Sequence, residues 1–217
     1  MPRKKKTHTT STDGIPSRNV RKLQQIRRDV AAEAARIMAT ESQRNYRLAK
    51  QKAAERIGIN SRLALPSIKE VEQALRDYQG FFGGEQHTDQ LEKLRLTALK
   101  VMRSLESYCP RLVGPVLEGT ADRHSRVSLH LFNDPPDAVA LHLEERGLSY
   151  KQEERKIRWH DGSHRTIPLL VADADGTAVE LALFSSIDLR QAPPSPVDGR
   201  PQKRARLSEV ECLLAGA

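Results

Sequence analysis

The hydrophobic period of this chain changes at Cys109-Pro110, and that change limits the fold more than any other feature. Before it, apolar residues recur every three or four positions, as on a helix face; after it they begin to alternate, as on a strand. A chain divided this way is expected to be an α+β protein, a helical region followed by a mixed sheet of about five strands with packed helices. The helical part reads as four segments. Leu23, Ile26, Val30, Ala34 and Ile37 are spaced 3, 4, 4 and 3 within residues 22–40, which is one face of a helix. Tyr46, Ala49, Ala53 and Ile57 form a weaker stripe over 42–57, beneath a solvated ridge of Arg44, Arg47, Lys50, Lys52 and Arg56, with Gly58 as the stop. Ser67 and Glu70 have the spacing of a capping box, in which hydroxyl and carboxylate each satisfy a free terminal amide. The helix they open turns Ile68, Val71, Leu75 and Tyr78 inward and ends in a mobile stretch, Gly80 to Gly84. A fourth helix over 88–108 carries Leu91, Leu94, Ala98, Val101, Leu105 and Tyr108 in strict 3, 4, 3, 4, 3 spacing. Such a seam wants a helical partner, within the chain or in a second copy of it.

Beyond Pro110, residues 112–117 and 126–132 read as strands. Asn133 to Asp137 starts a helix that stops at Gly147, its prolines placed where no amide donor is missed. Strands over 149–159, 164–172 and 177–184 form a meander, with Asp161-Gly162 and Asp175-Gly176 as tight turns. The tail from Ile187 to Arg206 is expected as an extended wrap, and Ser208 and Glu211 as the cap of a last short helix. The divisions are therefore 1–21, 22–108, 109–186 and 187–217.

Charge separates these parts. Residues 1–60 hold 15 Lys and Arg against 5 Asp and Glu, whereas 61–217 hold 21 against 23. The basicity is local, and residues 1–21 have too few apolar side chains to offset the entropy of ordering. They read as a disordered basic arm, either a solvated tail or a phosphate-seeking one. No apolar run approaches the ~20 residues of a membrane span, and no apolar signal core follows Met1 to Lys6, so the expectation is a cytoplasmic chain without a membrane partner. Two cysteines, Cys109 and Cys212, make neither a disulfide framework nor a thiolate zinc site. His160 and His164, or His124 and His130, could in principle approach a metal; histidines at solvated turns are the commoner outcome, and no metal site is expected of them. The P-loop, the dinucleotide-binding glycine fingerprint, HExxH and GxSxG are missing from the sequence, which disfavours the enzyme classes built on them.

The stretch Leu112 to Phe132 carries the one constellation of interest. A strand, the small-residue turn Gly119-Thr120, a short gap and a second strand beginning Ser125-Arg126-Val127-Ser128 resemble the nucleotidyltransferase fold of the polymerase-β-like superfamily. Segments 36–41, 45–56, 65–67 and 190–201 extend the likeness to a group of bacterial nucleotidyltransferase-like proteins, over most of 22–212. The resemblance implies that the turn holds nucleotide phosphates and that two aspartates on one strand face share Mg²⁺ with a third carboxylate from a later strand. In this sequence the aspartate positions are Arg126 and Ser128, and the third carboxylate falls on Glu180. The resemblance thus implies a degenerate metal site, with Mg²⁺ a cofactor only if transferase activity is retained.

The expected function is a nucleotidyltransferase-like protein without turnover that binds a nucleotide or phosphorylated ligand, or regulates a partner. Gly119, Thr120, Ser125, Arg126 and Ser128 would line its site, with Glu180 as the candidate catalytic carboxylate and Arg126 as a phosphate clamp. The bland alternative for Glu180 is a solvent-facing residue, since it lies on the strand face opposite Val179 and Leu181. Two other functions remain open: an active Mg²⁺-dependent nucleotidyltransferase, and a nucleic-acid-associated protein acting through residues 1–56.

Overall fold

The structure is a computed structural model, and it describes residues 18–41, 43, 45–122, 124–195 and 199–216. Residues 1–17, most of the expected basic arm, lie outside the described residues, as does Arg44. The arm is shorter than expected, because Arg18 to Arg21 already belong to the first helix, α1 (Arg18–Thr40). There follow α2 (Tyr46–Ile57), α3 (Ile68–Phe82), α4 (Gly84–Ser104), β1 (Arg111–Val113), α5 (Pro115–Glu118), β2 (Val127–Phe132), α6 (Ala138–Glu145), β3 (Tyr150–Arg158), β4 (His164–Ala174), β5 (Thr177–Phe184) and α7 (Leu207–Ala215). The protein is α+β, as its change of period predicts.

The three front helices share a core in which Val30, Ala34, Ile37, Ala49, Ala53 and Val71 are fully buried. Its alanines let the helix backbones approach closely. Asn45 caps α2, its side chain accepting from the Arg47 and Leu48 amides, and Gly58 ends it in the left-handed conformation at φ 76°. The capping box of α3 is present: Glu70 accepts from the Ser67 amide at 2.6 Å and Ser67 from the Glu70 amide at 3.2 Å. The cationic ridge of α2 is not wholly solvated, because Arg56 bonds Glu33 of α1 at 3.2 Å and Glu41, just past its end, at 2.8 Å.

Gly80 to Gly84 is not a loop. Helix α3 continues to Phe82, and α4 starts at Gly84, with Gly83 alone between them. A side chain at Gly83 would collide with the Gln79 carbonyl and His87, so glycine here permits a tight helix-to-helix corner rather than disorder. The α4 seam also differs in part from expectation. Leu94, Ala98 and Leu105 are buried in the main core with Leu129, Leu131, Leu181 and Leu183 of the sheet, and Leu91, Val101 and Tyr108 pack against it. The seam packs on a sheet face and also on a helix, α7, whose Val210 is fully buried in the same core.

The five-stranded sheet has the order β1-β2-β5-β4-β3. Strands β3, β4 and β5 form the expected antiparallel meander, β5 lies parallel to β2, and β1 runs antiparallel to β2. Asp175 and Gly176 both take positive φ at the second hairpin, as a tight two-residue turn requires. Three local expectations are corrected. The strand expected over 112–117 ends at Val113, because Gly114 (φ 71°) turns the chain and Pro115 opens α5. The helix expected from Asn133 begins at Ala138 after a bend in which the Asn133 side chain donates to the Pro135 carbonyl at 2.9 Å. The last helix starts two residues early, capped at Arg206 rather than Ser208, with Glu209 rather than Glu211 accepting from the chain at its start, the Arg206 amide at 2.6 Å. The tail before it follows the sheet, pairing Ala205 with Leu112.

Candidate functional site

Strand alternation divides the sheet into two unlike faces. Val127, Leu129, Leu131, Val179, Leu181 and Leu183 face the helices and are at most 3% exposed. Ser128, His130 and Phe132 of β2, with Glu180, Ala182 and Phe184 of β5, lie on the other. The parallel register sets Ser128 directly beside Glu180 and His130 beside Ala182. Toward one end this second face is apolar, with Phe132, Trp159, Ile167, Leu169, Ala182 and Phe184 in one cluster. Toward the other it is polar, and there Glu180 is the centre.

Glu180 is not solvent-facing; it is 9% exposed. Its Oε1 accepts from Arg126 Nη1 at 3.1 Å, and its Oε2 from Arg155 Nη2 at 2.8 Å and Ser128 Oγ at 3.3 Å. The two guanidiniums are about half exposed, with side-chain accessibilities of 45% and 47%. One buried carboxylate is thus over-neutralised by two cations that reach solvent.

Of the residues expected at the site, Thr120, Ser125, Arg126, Ser128 and Glu180 line one cavity of about 920 Å³. Its opposite wall comes from the helical region, including Thr40, Tyr46, Tyr78, Gln79 and His87. Gly119 is not brought to it. Rather than turning one strand into the next, Gly119 caps α5 in the left-handed conformation at φ 77°, beside Leu91 and Arg95 of α4. The turn that leaves the first strand is Gly114-Pro115, and Pro115 does line the cavity. Ser125 is partly occupied, donating to Asp122 Oδ1 at 2.7 Å and accepting from the Asp122 amide at 2.9 Å.

A Mg²⁺ centre was implied by the resemblance, and the residues present do not fit one. Both oxygens of Glu180 are held by cations or a hydroxyl, and Asp122 Oδ1 accepts from Ser125 and from the His124 amide at 2.9 Å. Among the described residues no three His, Cys, Asp or Glu side chains come together as a metal-binding group. The histidines are otherwise employed. Burial, with Arg204 and Arg155 nearby, pushes His130 down to about 3. The neutral ring accepts from Arg204 Nε through Nδ1 at 3.2 Å. His160 Nε2 lies 2.7 Å from the Ala192 carbonyl oxygen.

Three groups escaped the sequence reading. Arg155 sits in a charged edge strand that reads as solvated. Arg204 comes from the tail and stacks over Phe132 at 4.8 Å, with burial lowering it to about 10. The third is an acid pair on the helical side, Glu118 beside Glu72. Burial first, and the Glu72 carboxylate second, raise Glu118 from an ordinary 4.5 to about 7. The folded state therefore keeps a proton that the unfolded chain releases near 4.5. The stability this contributes is complete below 4.5 and is lost as pH rises through about 7. Glu118→Gln, which removes the charge, is expected to flatten thermal stability against pH between about 5 and 8 and to raise Tm at the upper end by a few degrees. Melting curves of both proteins across that range check this, and parallel profiles would contradict it.

No helix among the described residues is long and apolar enough to cross a membrane. Comparisons of the chain with protein-family models, with curated proteins and with solved structures find no match.

Proposed function

We propose that this protein is a nucleotidyltransferase-like module without turnover, which binds a nucleotide or another phosphorylated ligand in the cavity between its helical region and its sheet. The supporting observation is the Arg126–Glu180 pair at 3.1 Å. At the position where a metal ligand would be needed, a fixed cation occupies the one central carboxylate. A guanidinium has five donors in a planar fork, so Arg126 can hold Glu180 with one edge and present the other to phosphate oxygens. Ser128 and Thr120 add hydroxyls, and Tyr46, Tyr78 and His87 supply flat surfaces for a base. Binding of this kind needs no metal bridge, because the cation is part of the chain.

The test is calorimetric titration with nucleoside triphosphates, with and without Mg²⁺, alongside an incorporation assay with labelled nucleotides. Binding is expected without Mg²⁺, and Arg126→Ala is expected to weaken it by about tenfold or more, the loss of a charge-assisted hydrogen bond of ~1.5 to 3 kcal/mol. Mg²⁺-dependent incorporation would instead establish an active transferase and overturn this reading.

A further inference from the structure

The second face of the sheet borders another cavity, of about 900 Å³, which shares Ser128 with the first. Ser128 and Pro115 line both, so the Glu180 cluster stands between two chambers. Their charges differ. The first chamber has Asp122 and Glu180 in its wall. The second is lined by Arg47, Arg155, Lys156 and Arg158, with no Asp or Glu among its described lining residues. From this geometry we propose that the second chamber is a separate subsite for an anionic ligand, specifically a phosphate or diphosphate group carrying two or more negative charges.

The residues are unequal in the task. Register opposite Ile167 turns Arg155 toward the face that holds Glu180, so its guanidinium is directed into the chamber. It bonds Glu180 through Nη2 alone, leaving donors for an oxyanion. Arg47 enters from the other side, from the first turn of α2, is exposed, and forms no ion pair among the described residues. Lys156 and Arg158 border the chamber from the same edge strand but alternate onto the opposite face, so Arg155 and Arg47 are the cations that serve it. Cations brought from two distant elements to one concavity raise the local concentration of multivalent anions. The polar rim comes from the tail, through Ser195 and Gln202. The subsite does not depend on the function proposed for the first chamber, since it uses neither Thr120 nor Arg126.

The protein contains a single tryptophan, and Trp159 lines this chamber and not the first. It is 4% exposed with Arg165 stacked 3.9 Å above its ring, so a highly charged ligand arriving beside it alters the field on the indole without competing for its surface. The experiment titrates the full chain with inorganic pyrophosphate at constant ionic strength and follows tryptophan fluorescence. A saturable change is expected, with Arg47→Ala and Arg155→Ala each weakening it by about fivefold or more and Arg126→Ala by less than about threefold. Arg47 is a surface residue whose removal leaves the core intact, so its variant keeps the test decisive if Arg155→Ala fails to fold. No saturable change up to millimolar pyrophosphate, or a change weakened by Arg126→Ala as much as by Arg47→Ala, would overturn the proposal. Failure of nucleotide binding in the first chamber with the fluorescence response retained would remove only the function proposed above.

Discussion

Glu180→Gln is expected to tighten the binding of nucleoside triphosphates by about tenfold, a gain of ~1.4 kcal/mol. The native carboxylate competes with a phosphate in the first cavity for Arg126, and it repels that phosphate across a few ångströms. At an effective dielectric near 20, two like unit charges about 6 Å apart cost roughly 3 kcal/mol, which exposed guanidiniums and salt reduce. Glutamine keeps the shape and one acceptor oxygen while removing the charge. A metal-dependent transferase predicts the opposite sign, because its carboxylate would carry the cation that bridges the phosphates. Calorimetry on the two proteins decides the matter, and weaker binding by Glu180→Gln would refute the clamp arrangement.

On the opposite face of the same strand, Leu181→Ala is expected to destabilise the protein by about 2 to 5 kcal/mol. Leu181 is 1% exposed and lies in register with Leu129 and Leu170, beneath α4. Its loss leaves a cavity that a close-packed sheet-and-helix layer cannot collapse to fill. For a chain of this length each kcal/mol corresponds to roughly 2 to 4 °C, so thermal unfolding should show Tm lower by about 5 to 15 °C. Glu180→Gln, one residue away, should move Tm far less, because its partners remain solvated. A Tm shift for Leu181→Ala no larger than that for Glu180→Gln would mean that the helix-facing side of the sheet is not the principal core.

These two neighbours show how far local pattern carries. Alternation in β5 assigns Leu181 to one face and Glu180 to the other, and the first assignment leads directly to a core residue because apolar burial has no directional requirement. For Glu180 the same pattern suggests solvent, and it is wrong. The second face is covered by side chains from β3 and from the tail, whose approach no local periodicity encodes. The Asp175-Gly176 hairpin and the Ser67–Glu70 box were legible because their partners are three residues apart, whereas Asp161-Gly162 falls in a longer loop between Arg158 and His164. Gly119 misled for a related reason: a small residue with positive φ ends a short helix as readily as it turns between strands, and only Gly114-Pro115 upstream decides which.

The sequence by itself determined the α+β division, the strands of the meander, the helix faces and the replacement of two expected aspartates by Arg126 and Ser128. It also confined the excess positive charge to the first 60 residues. Tertiary structure alone decided that Arg126, 54 residues from Glu180, and Arg155, 25 residues from it, would meet on one carboxylate. It also set Arg47 of the front helices beside the sheet cavity. The physical reason is that alternation assigns a side chain to a face, whereas strand order assigns its neighbours. Here the order β2-β5-β4-β3 brings onto one face charges that lie far apart along the chain.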